Sequence, residues 1–403
     1  MKLVRGNSYF LDRNDIDTNY EKLNNNISSK IVIVGGGITG ALCAYFFAKE
    51  NIETILVEKN KISQGSTSIT TSLLQYELDD FIIDLEKDYS LNKIMEGYKF
   101  GDDALHMLKD IINELNIECD YKIKDCLLYT TDPKKIDKLK YDYEKRIENG
   151  FDVDFIDENS TNYDFSFDIK AGVYSKSGGS EIDPVKFTRA LIEKIQKMGC
   201  KIYEDTEIVD FVHSNNSVIL KTKNDNTITC EKVIVATGYD INTFTNKKYC
   251  DIYTTYNIVT SPLKEITGWH NHCLIRDGED PYTYLRTTVD NRIIIGGEDT
   301  RFIPELLENK MAEKKYDALV EKFNKLFPQF NYSIDFKYNG AFGTTKDNLP
   351  YIGPDPENKN IWYCLGYGAN GILFSIKGGD ILSKLYKGIL SKDYKLVSIN
   401  RDK

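Results

Sequence analysis

The feature that most constrains this chain is a group of glycines placed directly after a buried-strand pattern. Residues 31–34 are all apolar and β-branched, and Gly35, Gly37 and Gly40 follow them with the spacing G-x-G-x-x-G. In a strand–turn–helix unit, the first glycine allows a tight turn and the second lets the backbone approach a diphosphate. The third lets helix and strand pack closely. Glycine-rich turns are common, so the flanking elements decide what this one means.

A helix and a second strand follow the glycines at the expected distance. The pattern from Thr39 to Lys49 predicts a helix whose positive N-terminal end faces the diphosphate. The apolar run 55–57 then ends at Glu58, where a carboxylate can accept hydrogen bonds from a ribose. These elements predict a dinucleotide site. The alternative is a βαβ unit whose glycines serve only packing, and the motif leaves open whether the ligand is FAD or a nicotinamide.

Composition and charge exclude several classes of protein. Of the 403 residues, 41% are hydrophobic and 28% are charged, and this length favours two domains over a single core. A formal net charge of −10 argues against a nucleic-acid partner, which would require a basic face. No apolar run reaches the roughly 18 residues of a membrane span, and the first residues lack the apolar stretch of a secretion signal. We therefore expect a cytoplasmic protein with no membrane span.

The cysteines and histidines do not indicate a metal site. The eight cysteines are scattered without a C-x-x-C pair, which predicts reduced thiols in a reducing compartment. His270, His272 and Cys273 have the residue types of metal ligands. They have no companion Cys or His nearby to complete a tetrahedral site. We therefore expect no metal.

Two later segments extend the nucleotide-site hypothesis. A buried apolar run at 232–235 ends in the small residues 236–238, and a glycine cluster at 366–371 precedes a helix predicted from about 372 to 386. A nicotinamide dehydrogenase has no need of that final element. A reduced flavin carries negative charge at its N1/C2=O edge, which a helix N-terminus stabilises. The order of the segments therefore favours a flavin, and the alternative is a plain loop before a C-terminal helix.

Taken in order, these motifs resemble the FAD-dependent D-amino-acid oxidase-like family, which includes glycine oxidase and sarcosine oxidase. The matching segments are 34–40, 57–59, 65–75, 236–238, 292–297, 345–353 and 366–371. The resemblance implies an α/β fold (α+β overall), in which a Rossmann-like FAD/NAD(P)-binding domain accompanies a second, mixed-sheet substrate domain. The implied division is an N-terminal extension at 1–29, FAD-binding segments at 30–90, 180–245 and 335–403, and substrate-domain segments at 91–179 and 246–334. The polar N-terminal extension is expected to run over the surface.

The resemblance also implies which residues hold FAD. The residues assigned to the diphosphate and the adenosine are Gly35, Gly37, Ile38, Thr39, Gly40, Glu58, Lys59 and Ile208. The residues assigned to the pyrophosphate and the ribityl chain are Gly65, Ser66, Thr67, Ser68, Thr71, Ser72 and Leu73. The residues assigned to the underside of the cofactor and to the isoalloxazine are Ala236, Thr237, Gly238, Gly343, Asn370, Gly371 and Ile372.

The chain departs from the family pattern at three places. The stretch 340–343, where members that tether FAD carry a cysteine, has none, which implies a non-covalent cofactor. Ile294 replaces the lysine with which the sarcosine-oxidase branch activates oxygen, and Gln75 replaces a basic residue that this branch uses for its substrate. The electron acceptor, O2 or another, therefore stays open.

The resemblance implies oxidation of the C–N bond of a small amine or amino acid. A hydride passes to flavin N5, and the imine is hydrolysed afterwards. Tyr284 and Arg286 share one face of a predicted strand, where the arginine would clamp a carboxylate; a structural arginine is the alternative. The further substrate-site candidates are Gln75, Tyr256, Lys346 and Tyr367. The rival hypothesis is a flavin-binding protein of the same fold that has no amine turnover and serves binding or assembly.

Overall fold

The computed structural model describes residues 3–14, 19–214, 216–303, 310–368 and 370–401. The helices of this part are α1 Tyr9–Arg13, α2 Ile38–Lys49, α3 Ile82–Leu85, α4 Leu91–Leu115, α5 Ile136–Glu148, α6 Pro184–Lys197, α7 Lys310–Leu326, α8 Gly371–Tyr386 and α9 Tyr394–Val397. The strands are β1 Val4–Gly6, β2 Ile27–Val34, β3 Thr54–Val57, β4 Leu73–Gln75, β5 Lys122–Thr130, β6 Val153–Ile156, β7 Ala171–Glu181, β8 Lys201–Tyr203, β9 Ile208–His213, β10 Val218–Thr222, β11 Thr227–Val235, β12 Asp251–Thr260, β13 Leu274–Asp277, β14 Thr283–Thr287, β15 Ile293–Arg301, β16 Ile334–Thr344, β17 Tyr351–Pro354 and β18 Ile361–Leu365.

The glycine motif lies in a mostly parallel sheet. Its strand order is β17-β18-β11-β2-β3-β8, and β9 and β10 continue from β11 as an antiparallel extension. β18, β11, β2, β3 and β8 run parallel, and only β17 opposes them on this path. The predicted strand–glycine–helix–strand unit is therefore confirmed as β2, α2 and β3. Because β2 and β11 are parallel neighbours, their carboxyl ends open side by side at a crevice typical of ligand sites in α/β sheets.

The second sheet is mixed, as predicted. Its order is β1-β16-β12-β15-β14-β13-β5-β7-β4, with β6 paired to β7. β5 and β13 are parallel, whereas the other pairs are antiparallel. One face packs against α7 through an apolar cluster that includes Leu285, Ile295, Leu319 and Phe323. Part of the opposite face packs against the N-terminal segment through Ile294 and Tyr338.

The N-terminal segment corrects one expectation. The polar sequence predicted a surface course, but β1 pairs antiparallel with β16 at the edge of the mixed sheet. Tyr9 and Phe10 are buried, and the Tyr9 hydroxyl donates to Asp290 at 2.6 Å. The physical reason is that these two apolar rings find a complementary cluster with Ile294 and Tyr338 beside the sheet. The segment therefore belongs to the fold.

Sheet membership also differs from the predicted segment boundaries. β4 and β16 begin within segments assigned to the FAD domain or at their edge, yet both pair into the mixed sheet. Conversely, α4 was assigned to the substrate domain, but its buried side chains join the core cluster that contains α2 and α8. Strand pairing and helix packing act over long sequence distances, so they cut across a division made by segment. The division into two domains itself stays a prediction.

Two further expectations can be compared with the structure. In the part of the chain that is described, no helix is both long and apolar enough to cross a membrane. All eight cysteines are free thiols, and all except Cys250 are buried.

Candidate cofactor and substrate site

One cavity, of about 450 Å³, extends from the glycine turn of the parallel sheet to the face of the mixed sheet that lies opposite α7. Near its ends it is bordered by Gly35 and Glu58 on one side and by Tyr282 and Tyr284 on the other. Residues at the start of α8 also line it. The cavity therefore connects two regions that the sequence assigned to the cofactor, the glycine turn and the start of α8, with the sheet face that it assigned to the substrate.

The geometry of the glycine turn explains the residue type at two positions. Gly35 has a φ of +118°, and a Cβ there would lie 2.3 Å from the carbonyl oxygen of Ala236. A Cβ on Gly40 would lie 1.8 Å from the carbonyl oxygen of Gly35. Side chains at either position would therefore separate α2 from β2 and β11. The turn keeps backbone, rather than side chain, at the mouth of the cavity.

Glu58 braces this turn from below. Its Oε2 accepts the N–H of Gly36 at 2.7 Å, and its Oε1 accepts the N–H of Asn60 at 2.8 Å. Burial raises the pKa of Glu58, whereas the two backbone hydrogen bonds oppose that rise. Beside it, Lys59 forms an ion pair with Asp240 at 2.6 Å, and both of these residues line the cavity. Glu58 lines the cavity, and its contact with a ribose stays a prediction.

Most predicted cofactor residues border the cavity. Those that do are Gly35, Gly37, Ile38, Thr39, Glu58, Lys59, Gly65, Ser66, Thr67, Thr71, Leu73, Ile208, Ala236, Thr237, Gly238, Asn370, Gly371 and Ile372. Those that do not are Gly40, Ser68, Ser72 and Gly343. Gly40 lies beneath the turn, and the Ser68 hydroxyl folds back onto the carbonyl of Gly65 at 2.9 Å. Gly343 packs under Tyr239, while its neighbours Ala341 and Phe342 reach the cavity.

The residues present fit a polar, elongated cofactor. Thr237 Oγ1 and Asn370 Oδ1 belong to cavity residues, and both atoms are buried without a hydrogen-bond partner among the described residues. A Cβ on Gly371 would lie 2.6 Å from the carbonyl oxygen of Gly366, so the backbone before α8 is closely folded. Buried polar atoms normally have partners. These orphaned atoms are therefore positions at which a bound group can supply the missing hydrogen bonds.

The end of the cavity under the mixed sheet is more polar than the sequence suggested. Arg276 of β13 lies directly opposite Tyr284 of β14, and both line the cavity. The Arg276 guanidinium donates to the carbonyl oxygens of Asp79 at 2.7 Å and of Leu78 at 3.2 Å. Its Nε is buried and has no acceptor among the described residues. The arginine is therefore fixed in place with its Nε–H still available.

Two carboxylates and a hydroxyl pair complete this end. Asp79 and Asp299 both line the cavity, and Asp79 lies 3.7 Å from Arg276. The hydroxyls of Thr255 and Tyr284 are 2.7 Å apart. Sequence reasoning missed Arg276, Asp79 and Asp299. An arginine inside the apolar strand β13 was a readable signal for the first, whereas no local pattern marks the two acids.

The structure separates the six substrate-site candidates into two groups. Gln75, Tyr284 and Tyr367 line the cavity, and the Tyr367 hydroxyl donates to the carbonyl of Gly238 at 3.2 Å. Tyr256, Lys346 and Arg286 do not line it. Alternation along β12 places Tyr256 against α7, where its ring contacts Tyr316, and Lys346 is exposed. Thr255 takes the cavity-facing position instead.

Arg286 is a structural arginine, which was the alternative to a carboxylate clamp. It is 2% exposed and donates to the carbonyl oxygens of Thr71, Ser72 and Ile182. Its Nε lies 3.5 Å from Glu181. Arg286 shares a strand face with Tyr284, as predicted, but it lies past the edge of the cavity. The period of a strand identifies a face and says nothing of where the cavity on that face ends.

The fold and the site define an FAD-dependent oxidoreductase. The chain matches the family described as DAO, FAD dependent oxidoreductase, over residues 30–385, and it belongs to that family. The membership predicted from the motifs is therefore confirmed, as are the α/β fold class and the enzyme class.

Individual relatives are distant but cover most of the chain. Gamma-glutamylputrescine oxidoreductase of Escherichia coli (strain K12) is 23% identical over 380 residues, which span 92% of this chain and 86% of that protein. Glycine oxidase of Bacillus subtilis (strain 168) is 22% identical over 377 residues, 88% of this chain and 92% of that protein. The crystal structure of glycine oxidase from Geobacillus kaustophilus superimposes with a TM-score of 0.78 at 18% identity, covering 93% of this chain and 99% of that one. At this identity the superposition supports the fold alone.

Proposed function

We propose that the protein oxidises the C–N bond of a small amine or amino acid, with hydride transfer to N5 of a non-covalently bound FAD and later hydrolysis of the imine. The observation that carries the proposal is the continuity of one cavity. It joins the diphosphate-type turn at Gly35, the start of α8 at Asn370 and the charged end at Arg276. The relatives named above, an amine oxidoreductase and a glycine oxidase, support this class of substrate.

Each part of the cavity has a role in this proposal. The turn after β2 and the residues of the 65–73 segment would hold the diphosphate and the ribityl chain, and Glu58 the adenosine ribose. Bound FAD supplies the oxidant, which accepts a hydride from the carbon next to the amine nitrogen. The tyrosines Tyr282 and Tyr284 wall the space above and exclude water. The protein thus contributes mainly position and electrostatics.

Arg276 is the proposed anchor for a substrate carboxylate, in place of Arg286. Its guanidinium is held rigidly by the carbonyls of Leu78 and Asp79, and its Nε is the donor without a partner. An arginine held in this way binds a carboxylate with little loss of side-chain entropy. If the substrate is an amine without a carboxylate, the same donor is expected to hydrogen-bond another substrate oxygen.

The positions of the cysteines support non-covalent attachment of FAD. The stretch 340–343 contains none, and among the described residues that line the cavity Cys364 is the one cysteine. A Cβ on Gly378 would lie 2.5 Å from the Cys364 sulfur, so this thiol points into the packing of α8 on β18. We expect acid or heat to release the whole flavin into the supernatant. Free thiols throughout the chain also fit the proposed cytoplasmic location.

Anaerobic flavin bleaching tests the function. The yellow holoprotein is mixed with a panel of amines and amino acids, and absorbance near the flavin maximum is followed, with dithionite as the control for full reduction. We expect at least one compound to bleach the flavin, and Arg276→Met to raise KM for carboxylate-bearing compounds with a smaller change in kcat. Bleaching by dithionite but by no amine would contradict the proposal and favour the flavin-binding protein without turnover. Repeating the active reaction with O2 or an artificial acceptor identifies the electron acceptor.

A further inference from the structure

A β-bulge in β15 turns Asp299 into the cavity. Thr254 of β12 pairs with Thr300, and Tyr256 pairs with Gly297. One residue of β12 therefore faces two residues of β15, which is the pattern of a bulge. The extra residue reverses the alternation of side chains beyond it. Asp299 consequently takes the face that the unbroken period would have given to its neighbour.

The neighbouring carboxylate, Glu298, shows the same reversal of side-chain alternation. Gly296 lies opposite Tyr284 on the cavity face, so simple alternation would place Glu298 there too. Instead Glu298 has a φ of +58° and points to α7. There it forms ion pairs with Lys315 and Lys322, both at 2.9 Å. A left-handed backbone at a residue other than glycine is unfavourable, and these contacts offset that cost.

Asp299 has an unused acceptor atom in this position. Its Oδ1 is buried and has no donor among the described residues. Thr255 is near enough to lower the pKa of the carboxylate. Tyr284, which lines the cavity beside it, bonds to the Thr255 hydroxyl rather than to Asp299. A buried acceptor without a partner is energetically costly, and a ligand can supply the missing donor.

The surroundings of Asp299 bring the pKa of its carboxyl group close to neutral pH. Burial raises the pKa of Asp299 to about 7, and the negative charges of Asp79 and Glu298 add to that rise. The Thr255 hydrogen bond and the Lys315 charge oppose it. The groups that face Asp299 from the packed elements are Glu298 on its own strand, Tyr284 from β14, Tyr282 just before β14, Arg276 from β13, Asp79 after β4, Thr255 from β12 and Lys315 from α7.

We propose that Asp299 Oδ1 receives the ammonium group of the substrate and accepts its proton before oxidation. This role deepens the proposed function and rests on it. An amine is mostly protonated at neutral pH, and its C–H bond can leave as hydride only when the nitrogen has a lone pair. In the proposed step one N–H bond breaks, one O–H bond forms on Asp299 and the electron pair stays on nitrogen. No oxidant takes part in this step.

Other groups at the same end fit this role less well. Asp79 is 3.7 Å from Arg276, so its carboxylate already lies against a cation. Burial raises the pKa of Tyr282 and of Tyr284 well above the ordinary value, so their hydroxyls are donors rather than bases. Arg276 carries no basic site. Asp299 is therefore the proton acceptor, and Arg276 lies in the same cavity for a carboxylate of the same substrate.

Two probes that cannot be oxidised test binding separately from turnover. 2-Aminoisobutyrate and tert-butylamine carry an ammonium group but no hydrogen on the adjacent carbon. Their binding to the holoprotein is followed by the change in flavin absorbance between pH 6 and pH 8.5. We expect wild-type affinity to rise about tenfold over this range as Asp299 ionises. Asp299→Asn should bind about tenfold more weakly at pH 8.5, with a flat profile.

The control variant is Asp251→Asn. Asp251 is in the same sheet, pairs with Lys248 and does not line the cavity, so its profile should follow the wild type. Equal affinity and equal pH dependence in Asp299→Asn would overturn the proposal. Failure of both probes to bind the wild type would overturn it as well.

A second measurement separates this proposal from the proposed function. With an amine that bleaches the flavin, Asp299→Asn should slow anaerobic reduction at least about a hundredfold and remove the inflection near pH 7, while Asp299→Glu restores part of the rate. Bleaching that is unaffected by Asp299→Asn would overturn the proton acceptor and leave the function standing. If no amine bleaches the flavin, the proposed function fails. An Asp299-dependent binding profile would then show a cation contact alone, and the proton-acceptor role would be overturned.

Discussion

Two buried arginines of the mixed sheet show how much a side chain's surroundings decide its role. Arg276 has an Nε without an acceptor among the described residues, whereas Arg286 donates through Nη1 to carbonyls of the 71–72 segment and of Ile182 and through Nε to that of Thr287. Both side chains are nearly inaccessible to water. Arg276 is the proposed substrate anchor, whereas Arg286 holds residues 71–72 at the edge of the cavity.

Replacing Arg286 should therefore damage folding rather than catalysis. Arg286→Leu removes the donor of three buried carbonyls and the nearer cation of Glu181, which should cost about 3–5 kcal/mol in the free energy of unfolding. Urea denaturation of the purified variant measures this loss. Arg301→Leu is the control, because that side chain is 73% exposed. A stable Arg286→Leu protein with a raised KM would return the carboxylate clamp to Arg286.

The pH dependence of stability should also change at Asp299. Its pKa is raised from 3.8 to about 7 in the folded chain, so the folded state holds a proton that the unfolded state has lost over this interval. Stability contributed by the protonated form is therefore lost as pH rises from about 4 to about 7. Asp299→Asn removes this dependence. Thermal denaturation of the apoprotein should show the variant gaining on the wild type between pH 5 and pH 8, whereas a constant difference would contradict the shift.

At the scale of single elements, close packing at the start of α2 shapes the mouth of the cavity. The helix begins at Ile38 and lies so near β2 that Gly35 and Gly40 touch through backbone atoms. The Thr67 hydroxyl accepts the N–H of Ile38 at 3.0 Å and ties the following segment to the same helix end. The geometry of the glycine turn therefore depends on the contact between α2 and β2.

A methyl group at position 40 should disturb this contact. In Gly40→Ala the new Cβ would lie 1.8 Å from a backbone oxygen, which cannot rotate away as a side chain can. We expect a loss of about 3 kcal/mol in the unfolding free energy of the apoprotein and weaker FAD binding. Gly65→Ala is the matched control for stability, because a Cβ there meets nothing within 4 Å. Equal denaturation curves for the two variants would show that the helix can move without cost.

At the scale of the whole molecule, the cavity depends on segments distant in sequence. The N-terminal strand β1 closes the edge of the mixed sheet, and Leu3 and Val4 reach the cavity wall. Phe10 lies under the Arg286 guanidinium, 5.8 Å from the ring centre. The first residues of the chain thus support the same arginine that holds the 71–72 segment.

Removal of the Phe10 ring should weaken the retention of FAD. Phe10→Ala deletes a side chain that is 1% exposed, which should cost about 3–5 kcal/mol in the free energy of unfolding. Because Arg286 loses its support, FAD should also dissociate more readily, as measured by fluorescence of released flavin after dilution. Asp12→Ala, an exposed change in the same helix, should alter neither quantity. Loss of stability with unchanged flavin retention would confine Phe10 to local packing.

Local spacing in the sequence was sufficient to predict the dinucleotide turn, the helix that follows it, Glu58 and the glycine cluster before α8. Each of these depends on residues within a few positions of one another, where backbone sterics and hydrogen bonding act directly. The family resemblance was readable for the same reason, since it is carried by short motifs in a set order. Gln75, Tyr284 and Tyr367 also line the cavity, and their roles toward a substrate stay predictions.

The charged end of the site was beyond such reasoning. The choice of Asp299 over Glu298 depends on a bulge, whose existence is set by the register of β12 against β15. The choice of Arg276 over Arg286 depends on where the cavity ends along a face that both strands share. Register, bulges and cavity edges arise from pairing between residues tens of positions apart. The sequence by itself therefore indicates the glycine turn of the cofactor site. The residues at the charged end of the cavity are decided by strand pairing in the tertiary structure.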